Sequence, residues 1–288
     1  MKKSLIFLLL TFPVLIYAQF DIRINGQASA PQETLDSAVV KIGYFVFSVS
    51  DTTKRDKTTE DLLVLEIGSK YSKYYSDNAR RRDSLMNAVM LRGGTNFNFG
   101  PELLKSHNIK PGGNANIIIK NLAENKLTFT GRIANNDYEY EEPLNEMQWE
   151  IKSDTMTILT YLCQKATTTF RGRDYEVWFT PDIPIINGPW KFHGLPGLIL
   201  KASDSKNEFR FECNEISQQG SLITHNKNNY IKSSRKDFQK LQKKFNDDPM
   251  ASLKESMPGK ILNIQIKQDG QSIDPEKFKI PYNPIELN

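Results

Sequence analysis

The stretch TMTILTYLCQKATTTFRGRDYEVWFT, residues 155–180, decides the fold class. Apolar and polar residues alternate through TMTILTYLC, KATTTF and DYEVWFT. A period of two residues is typical of β-strands that bury one face. The stretch therefore predicts three successive strands of an antiparallel sheet.

The same alternation continues on both sides of this stretch. Upstream, ANIIIKN and KLTFTGRI are separated by Ala123-Glu124-Asn125, which suits a hairpin. In DYEYEEP, Tyr138 and Tyr140 share one face and Glu139 and Glu141 share the other. With MQWEIK before the opening stretch and EFRFEC after it, the pattern predicts an antiparallel meander from about residue 114 to 216.

The rest of the chain adds strands and two helices. YFVFSVS, DLLVLEIG and ILNIQIK predict further strands. One helix is predicted over DNARRRDSLMNAVML with Asp77 as its N-cap, and a second over SRKDFQKLQKKFNDDP, which Asp248-Pro249 ends. We predict one mainly β domain, residues 19–288, in which a strongly curved antiparallel sheet forms a half-open barrel with helices on its concave side. A β-sandwich is the alternative.

The N-terminal sequence MKKSLIFLLLTFPVLIYAQF predicts export. Lys2 and Lys3 precede an apolar run, and Ala18 before Gln19 suits signal peptidase. Residues 1–18 are therefore predicted to be a cleaved signal peptide, and the apolar run is shorter than the roughly 20 residues that span a bilayer. We expect secretion across the inner membrane to the periplasm or the outer-membrane periphery, with no transmembrane segment after cleavage.

Composition and motifs argue against several classes of function. The formal net charge of +4 is small for 288 residues, so no nucleic-acid partner is predicted. His107, His193 and His225 lie far apart and no cysteine pair has zinc-ligand spacing, so we predict no metal and no cofactor. A hydrolase centred on His193, with Asp182 or Asp204 as its partner, is the minor alternative to a protein that is not an enzyme.

Cys163 and Cys213 are the only cysteines. In an exported chain they form either a disulfide or two buried thiols, and their spacing does not distinguish these alternatives.

The segment GPWKFHGLPGLILKASD, residues 188–204, combines turn residues with apolar ones. Leu195-Pro196-Gly197-Leu198 suits a type II turn, because Pro196 presets φ and Gly197 accepts a positive φ. Such an apolar turn either caps the core at the open end of the sheet or rims an apolar pocket. The candidate loop residues are Gly188, Pro189, Trp190, Gly194, Leu195, Pro196, Gly197, Leu198 and Ile199, and the candidate ligand-lining residues are Trp149, Trp178, Trp190 and Phe192.

GLPGLI at residues 194–199, with WFTPDIPIINGPWKF before it and LKASD after it, resembles the motif of the GLPGLI family. That family consists of secreted proteins of Bacteroidetes, and the resemblance implies an envelope location but no established activity. By analogy of strand order, the expected fold is similar to periplasmic lipoprotein carriers of the LolA type. We therefore expect non-enzymatic binding of an apolar or lipid-like ligand. The alternative is an accessory protein that docks on an outer-membrane partner.

Overall fold

The computed structural model describes residues 31–91, 101–110, 113–144, 147–218, 220–256, 266–268 and 271–287, and they are mainly β. The strands are β1 Gln32–Ala38, β2 Val40–Ser48, β3 Thr59–Ile67, β4 Tyr71–Ser76, β5 Ile117–Asn121, β6 Lys126–Ile133, β7 Asn136–Pro143, β8 Glu150–Ile158, β9 Tyr161–Phe170, β10 Arg173–Thr180, β11 Leu198–Asp204, β12 Phe209–Ser217, β13 Ser221–Asn226, β14 Ile231–Lys232, β15 Ile266–Gln268 and β16 Gln271–Ile273. The helices are α1 Asp77–Leu91, α2 Pro101–Ser106, α3 Arg235–Asp247 and α4 Pro249–Ser256, with a 3₁₀ turn at Pro275–Lys277.

Twelve strands form one large sheet in the order β14-β7-β6-β5-β4-β3-β2-β12-β11-β10-β9-β8. Strands β2 to β7 form one antiparallel meander and β8 to β12 form another. The two meanders join where β12 pairs with β2, and only β14 lies parallel to its neighbour β7. The sheet is not closed, because β14 and β8 stand at its two ends.

The connection between β7 and β8 requires the sheet to curve. In a flat sheet ten strand spacings of about 4.8 Å would separate these two strands by about 48 Å. The chain from Pro143 to Glu150 reaches at most about 25 Å even when fully extended. The two ends of the sheet must therefore bend toward each other, and the predicted mainly β fold with a curved, open sheet is confirmed.

The continuous meander predicted from residue 114 to 216 is wrong at one connection. Strand β8 follows β7 in the chain but pairs only with β9, at the opposite end of the sheet. Strand alternation does not reveal this, because it reports which face of a strand is buried and not which strand lies beside it.

The turns explain where the strands end. The predicted hairpin at Ala123-Glu124-Asn125 is confirmed, with Asn125 at a φ of 52°. The single strand predicted over TMTILTYLC is wrong, because the chain turns at Leu159, whose φ is 53°, and β9 begins at Tyr161. Arg171 and Gly172, both at positive φ, connect β9 to β10.

The helices differ in detail from the prediction. Asp77 is the first residue of α1 rather than its N-cap, and the hydroxyl of Ser76 accepts the hydrogen bond from the backbone N–H of Ala79. Ser234 caps α3 as a serine N-cap should. Pro249 does end α3, but it also begins α4, because a proline fits the first turn of a helix.

Strands β1 and β13 pair with each other as a separate two-stranded ribbon. The ribbon lies on the outer face of the large sheet, where the Lys73 ammonium donates a 2.6 Å hydrogen bond to the backbone oxygen of Thr224. Within the described ranges no helix is long and apolar enough to cross a membrane. The predicted signal peptide, residues 1–18, lies outside them.

Candidate binding groove

Residues 181–197, between β10 and β11, form what we call the core segment. Phe192 and Leu195 are buried, and the Phe192 ring contacts those of Tyr175, Trp190 and Phe211 at centroid distances of 5.0, 5.1 and 5.8 Å. The core segment therefore fills the concave side of the sheet as part of the hydrophobic core.

The turn at Leu195-Pro196-Gly197-Leu198 is not the predicted type II turn. The backbone N–H of Gly197 donates to the oxygen of Leu195 at 2.8 Å, which is the two-residue pattern of a γ-turn. Leu198 donates instead to Ile183 at 3.1 Å. Gly197 does adopt the expected positive φ, at 149°.

The four aromatic residues predicted to line a ligand site do not all lie on the same face of the sheet. Trp190 and Phe192 are buried, and the indole N–H of Trp149 donates to the backbone oxygen of His193 at 2.9 Å. Trp178 lies on the other face of β10, where its indole N–H donates to Glu176 at 3.1 Å. Trp149, Trp190 and Phe192 thus pack together, while Trp178 is separate.

His193 has no carboxylate within its hydrogen-bond contacts. Its Nδ1 lies 3.2 Å from the backbone oxygen of Lys191. Burial, followed by the nearby Lys120 ammonium, lowers the pKa of His193 to about 4. No group of histidine, cysteine, aspartate and glutamate side chains suited to a metal ion occurs in the described parts of the chain. Cys163 and Cys213 are free, buried thiols.

A groove of about 620 Å³ lies on the outer, convex face of the sheet. We call it the polar groove, because Leu35 and Ile119 are its only aliphatic lining residues. The other residues that line it are Glu33, Tyr71, Asn121, Glu124, Lys126, Thr128, Glu139, Glu141, His225, Asn226, Lys227, Asn228, Asn229, Tyr230 and Lys232.

Strand register builds the floor of the polar groove. Ile119, Thr128 and Glu141 lie side by side on β5, β6 and β7, and Asn121 pairs with Lys126 one step further along. Because alternate residues of a strand share a face, these side chains project away from the core, where Tyr138 and Tyr140 lie. The predicted division of β7 into a tyrosine face and a glutamate face is confirmed.

The wall of the polar groove is formed by the ribbon of β1 and β13 and by the residues that follow β13. His225 Nε2 lies 2.9 Å from one carboxylate oxygen of Glu139, and the ammonium of Lys232 donates to the other. The rings of His225 and Tyr230 stack with centroids 5.6 Å apart. Burial, followed by the charges of Asp137 and Glu139, raises the pKa of Tyr230 to about 12, so its phenol stays protonated near neutral pH.

The sequence identified only part of this groove. The alternation in DYEYEEP places Glu139 and Glu141 on a shared face but does not indicate that this face borders a groove. His225 is an isolated histidine in the sequence. No local signal brings the ribbon over β4 to β7, because that contact depends on residues more than a hundred positions apart, such as Lys73 and Thr224.

Comparison with known proteins gives one family match. The family model described as "N-glycanase peptide, N-terminal domain" matches residues 113–247, a little under half of the chain. No curated protein matches the chain. Two crystal structures of PNGF-II, in space groups P21 and C2, are similar with 15% and 16% sequence identity and TM-scores of 0.49 and 0.48. Each similarity covers 72% of this chain and 33% of the other, so this chain spans about a third of those proteins.

These findings correct two predictions. The resemblance to the GLPGLI family is wrong, because the model that matches the region around the GLPGLI motif is that of the N-glycanase N-terminal domain. The expected binding of an apolar or lipid-like ligand is also wrong. Docking on an outer-membrane partner stays a prediction, and the contacts of His193 give no support to a hydrolase centred on it. The model that matches is that of an N-glycanase domain, and the core segment is packed interior.

Proposed function

We propose that this chain is a glycan-binding domain whose site is the polar groove, and that its ligands are glycans of the kind on which an N-glycanase acts. One observation carries the proposal: the groove lies within the segment that matches the N-glycanase N-terminal domain. All of its lining residues belong to residues 113–247 except Glu33, Leu35 and Tyr71.

The chemistry of the lining suits a sugar. Every sugar hydroxyl both donates and accepts hydrogen bonds, and a polar group that loses water must find new partners. The groove offers carboxylates that accept, lysines that donate and amides that do both. The amides belong to Asn121, Asn226, Asn228 and Asn229.

The size and the aromatic residues of the groove fit the same ligand class. A volume of about 620 Å³ lies within the range usual for ligand sites. Tyr71 and Tyr230 add aromatic surface with a polar end, which suits the C–H faces and hydroxyl edges of a sugar ring.

We propose binding rather than cleavage. Both carboxylate oxygens of Glu139 are engaged, one by His225 and one by Lys232. Glu141 is paired with Lys126 at 3.3 Å. A general acid or base must instead exchange a proton with the substrate and needs a pKa suited to that step.

Export of the chain to the periplasm or the outer-membrane periphery stays part of the proposal. Cell fractionation with an antibody against the predicted mature chain tests it. Recovery of the uncleaved chain in the cytoplasm would contradict export.

Isothermal titration calorimetry with a purified oligomannose N-glycan tests the function. We expect binding, and we expect Glu141→Ala to weaken it by about tenfold, the value of one hydrogen bond to a charged group. Glu150→Ala is the matched control, because Glu150 is also an exposed strand glutamate paired with a lysine, Lys152, but lies outside the groove. Equal affinity of Glu141→Ala and wild type would place the site elsewhere.

A second measurement tests the absence of cleavage. After incubation of the protein with a glycoprotein that carries N-glycans, mass spectrometry should find every glycan still attached. Release of a glycan would show that the chain is an enzyme.

A further inference from the structure

We propose that the polar groove selects neutral glycans over acidic ones and that Glu124 is the residue that sets this preference. The inference rests on the proposed function and adds the class of glycan. It follows from the way in which the charged side chains of the groove are paired.

The groove carries one more acidic than basic side chain. Its carboxylates are those of Glu33, Glu124, Glu139 and Glu141, and its ammonium groups are those of Lys126, Lys227 and Lys232, with His225 as the remaining titratable base. Counted as glutamates against lysines, the lining has a formal charge of −1.

The lysines are engaged with the carboxylates. Lys227 lies 3.6 Å from Glu33, and Lys232 contacts the buried carboxylate of Glu139. An acidic sugar would therefore have to compete with a carboxylate of the protein for each of these cations. A neutral sugar can bond to the outer edges of the same pairs without separating them.

Lys126 is shared between two carboxylates. It lies 3.3 Å from Glu141 and 3.9 Å from Glu124. Glu124 is the more distant partner, and its side chain is 64% exposed in the turn between β5 and β6. The unbalanced negative charge thus belongs to an exposed side chain at the rim, where it repels an approaching anion.

A charge reversal with a matched control separates this local effect from the net charge of the protein. Glu124→Lys changes the formal charge of the lining from −1 to +1. Glu150→Lys raises the formal charge of the whole chain by the same amount, but Glu150 lies on β8, outside the groove. Both residues are exposed, so both variants should fold, which their thermal melts check.

The probes are a neutral biantennary N-glycan and the same glycan with terminal sialic acids, titrated at low ionic strength. We expect wild type and Glu150→Lys to bind the neutral glycan more tightly than the sialylated one, by a ratio of affinities of about ten or more. Glu124→Lys should reduce that ratio by about fivefold or more, and added salt should reverse the reduction.

Three results would overturn the inference. Equal binding of the two glycans by wild type would remove the selectivity while leaving the proposed function in place. Equal shifts in Glu124→Lys and Glu150→Lys would assign the effect to net charge rather than to Glu124. If no variant binds either glycan, the proposed function and this inference both fail.

Discussion

The ammonium group of Lys120 on β5 donates a 2.9 Å hydrogen bond to the backbone oxygen of Phe192 in the core segment. It also donates to the side-chain oxygen of Asn187 at 2.8 Å and to the backbone oxygen of Gly188 at 3.0 Å. Lys120 is 1% exposed, and all three acceptors are neutral. One lysine therefore joins the first meander to the segment that fills the concave side of the sheet.

The pKa of Lys120 should make folding stability depend on pH. Burial lowers this pKa from 10.5 to about 7. Between these two values the unfolded chain holds a proton that the folded chain releases, so the contribution of Lys120 to stability rises with pH, by up to about 1.4 kcal/mol per unit. Below the folded pKa both states are protonated and this dependence disappears.

Urea unfolding of wild type and Lys120→Met from pH 5 to pH 9 measures this effect. Subtracting the free energy of unfolding of the variant from that of wild type cancels the titration of all other groups that the substitution leaves unchanged. We expect the difference to be constant below about pH 6 and to increase above pH 7. A difference that stays constant up to pH 9 would show that Lys120 keeps an ordinary pKa.

Gly197 should not tolerate a side chain. A Cβ at this position would lie 2.1 Å from the backbone oxygen of Thr180, and its φ of 149° disfavours L-residues. We expect Gly197→Ala to lower the free energy of unfolding by at least about 2 kcal/mol. Gly220→Ala is the control, since the nearest atom to its Cβ would be 3.8 Å away, and coincident thermal melts of the two variants would contradict the predicted strain.

Local patterns predicted the strands but not their order. Alternation assigned Tyr138 and Tyr140 to the core face of β7, and the structure agrees because that face packs against α3. The pairing of β2 with β12 joins residues such as Tyr44 and Cys213, and no turn between adjacent strands specifies it. A meander can be predicted from sequence only while each strand pairs with the next.

The burial of Lys120 is likewise not predictable from the local sequence. In ANIIIKN a lysine at the end of an apolar strand suggests the solvent-facing side, because lysine is rarely fully buried. Its burial depends on carbonyl and amide oxygens that arrive from residues 187–192. The polar groove depends in the same way on His225 and Lys232, which reach Glu139 from later in the chain.

Phe238 should be the residue that attaches α3 to the sheet. Its ring lies 5.1 Å from that of Phe129 and 6.0 Å from those of Tyr138 and Tyr140. Phe238→Ala should lower the free energy of unfolding by about 3–5 kcal/mol, because it removes apolar contacts and leaves a cavity. Leu241→Ala on the same helix should cost far less, since Leu241 is 36% exposed, and equal losses in denaturant unfolding would show that α3 does not pack through Phe238.

The two thiols should be unreactive until the protein unfolds. Burial raises the pKa of Cys163 to about 11 and that of Cys213 to about 12, so at pH 8 at most about 0.1% of either is thiolate, the form that reacts. Intact mass after iodoacetamide treatment without reductant should show no adduct on the native protein and two adducts in guanidinium chloride. Leu222→Cys supplies an accessible thiol as an internal control, because Leu222 is 60% exposed on β13, and it should add one adduct under native conditions. If the unfolded wild type takes up iodoacetamide only after reduction, the cysteines form a disulfide, and the free thiols of the structure are wrong.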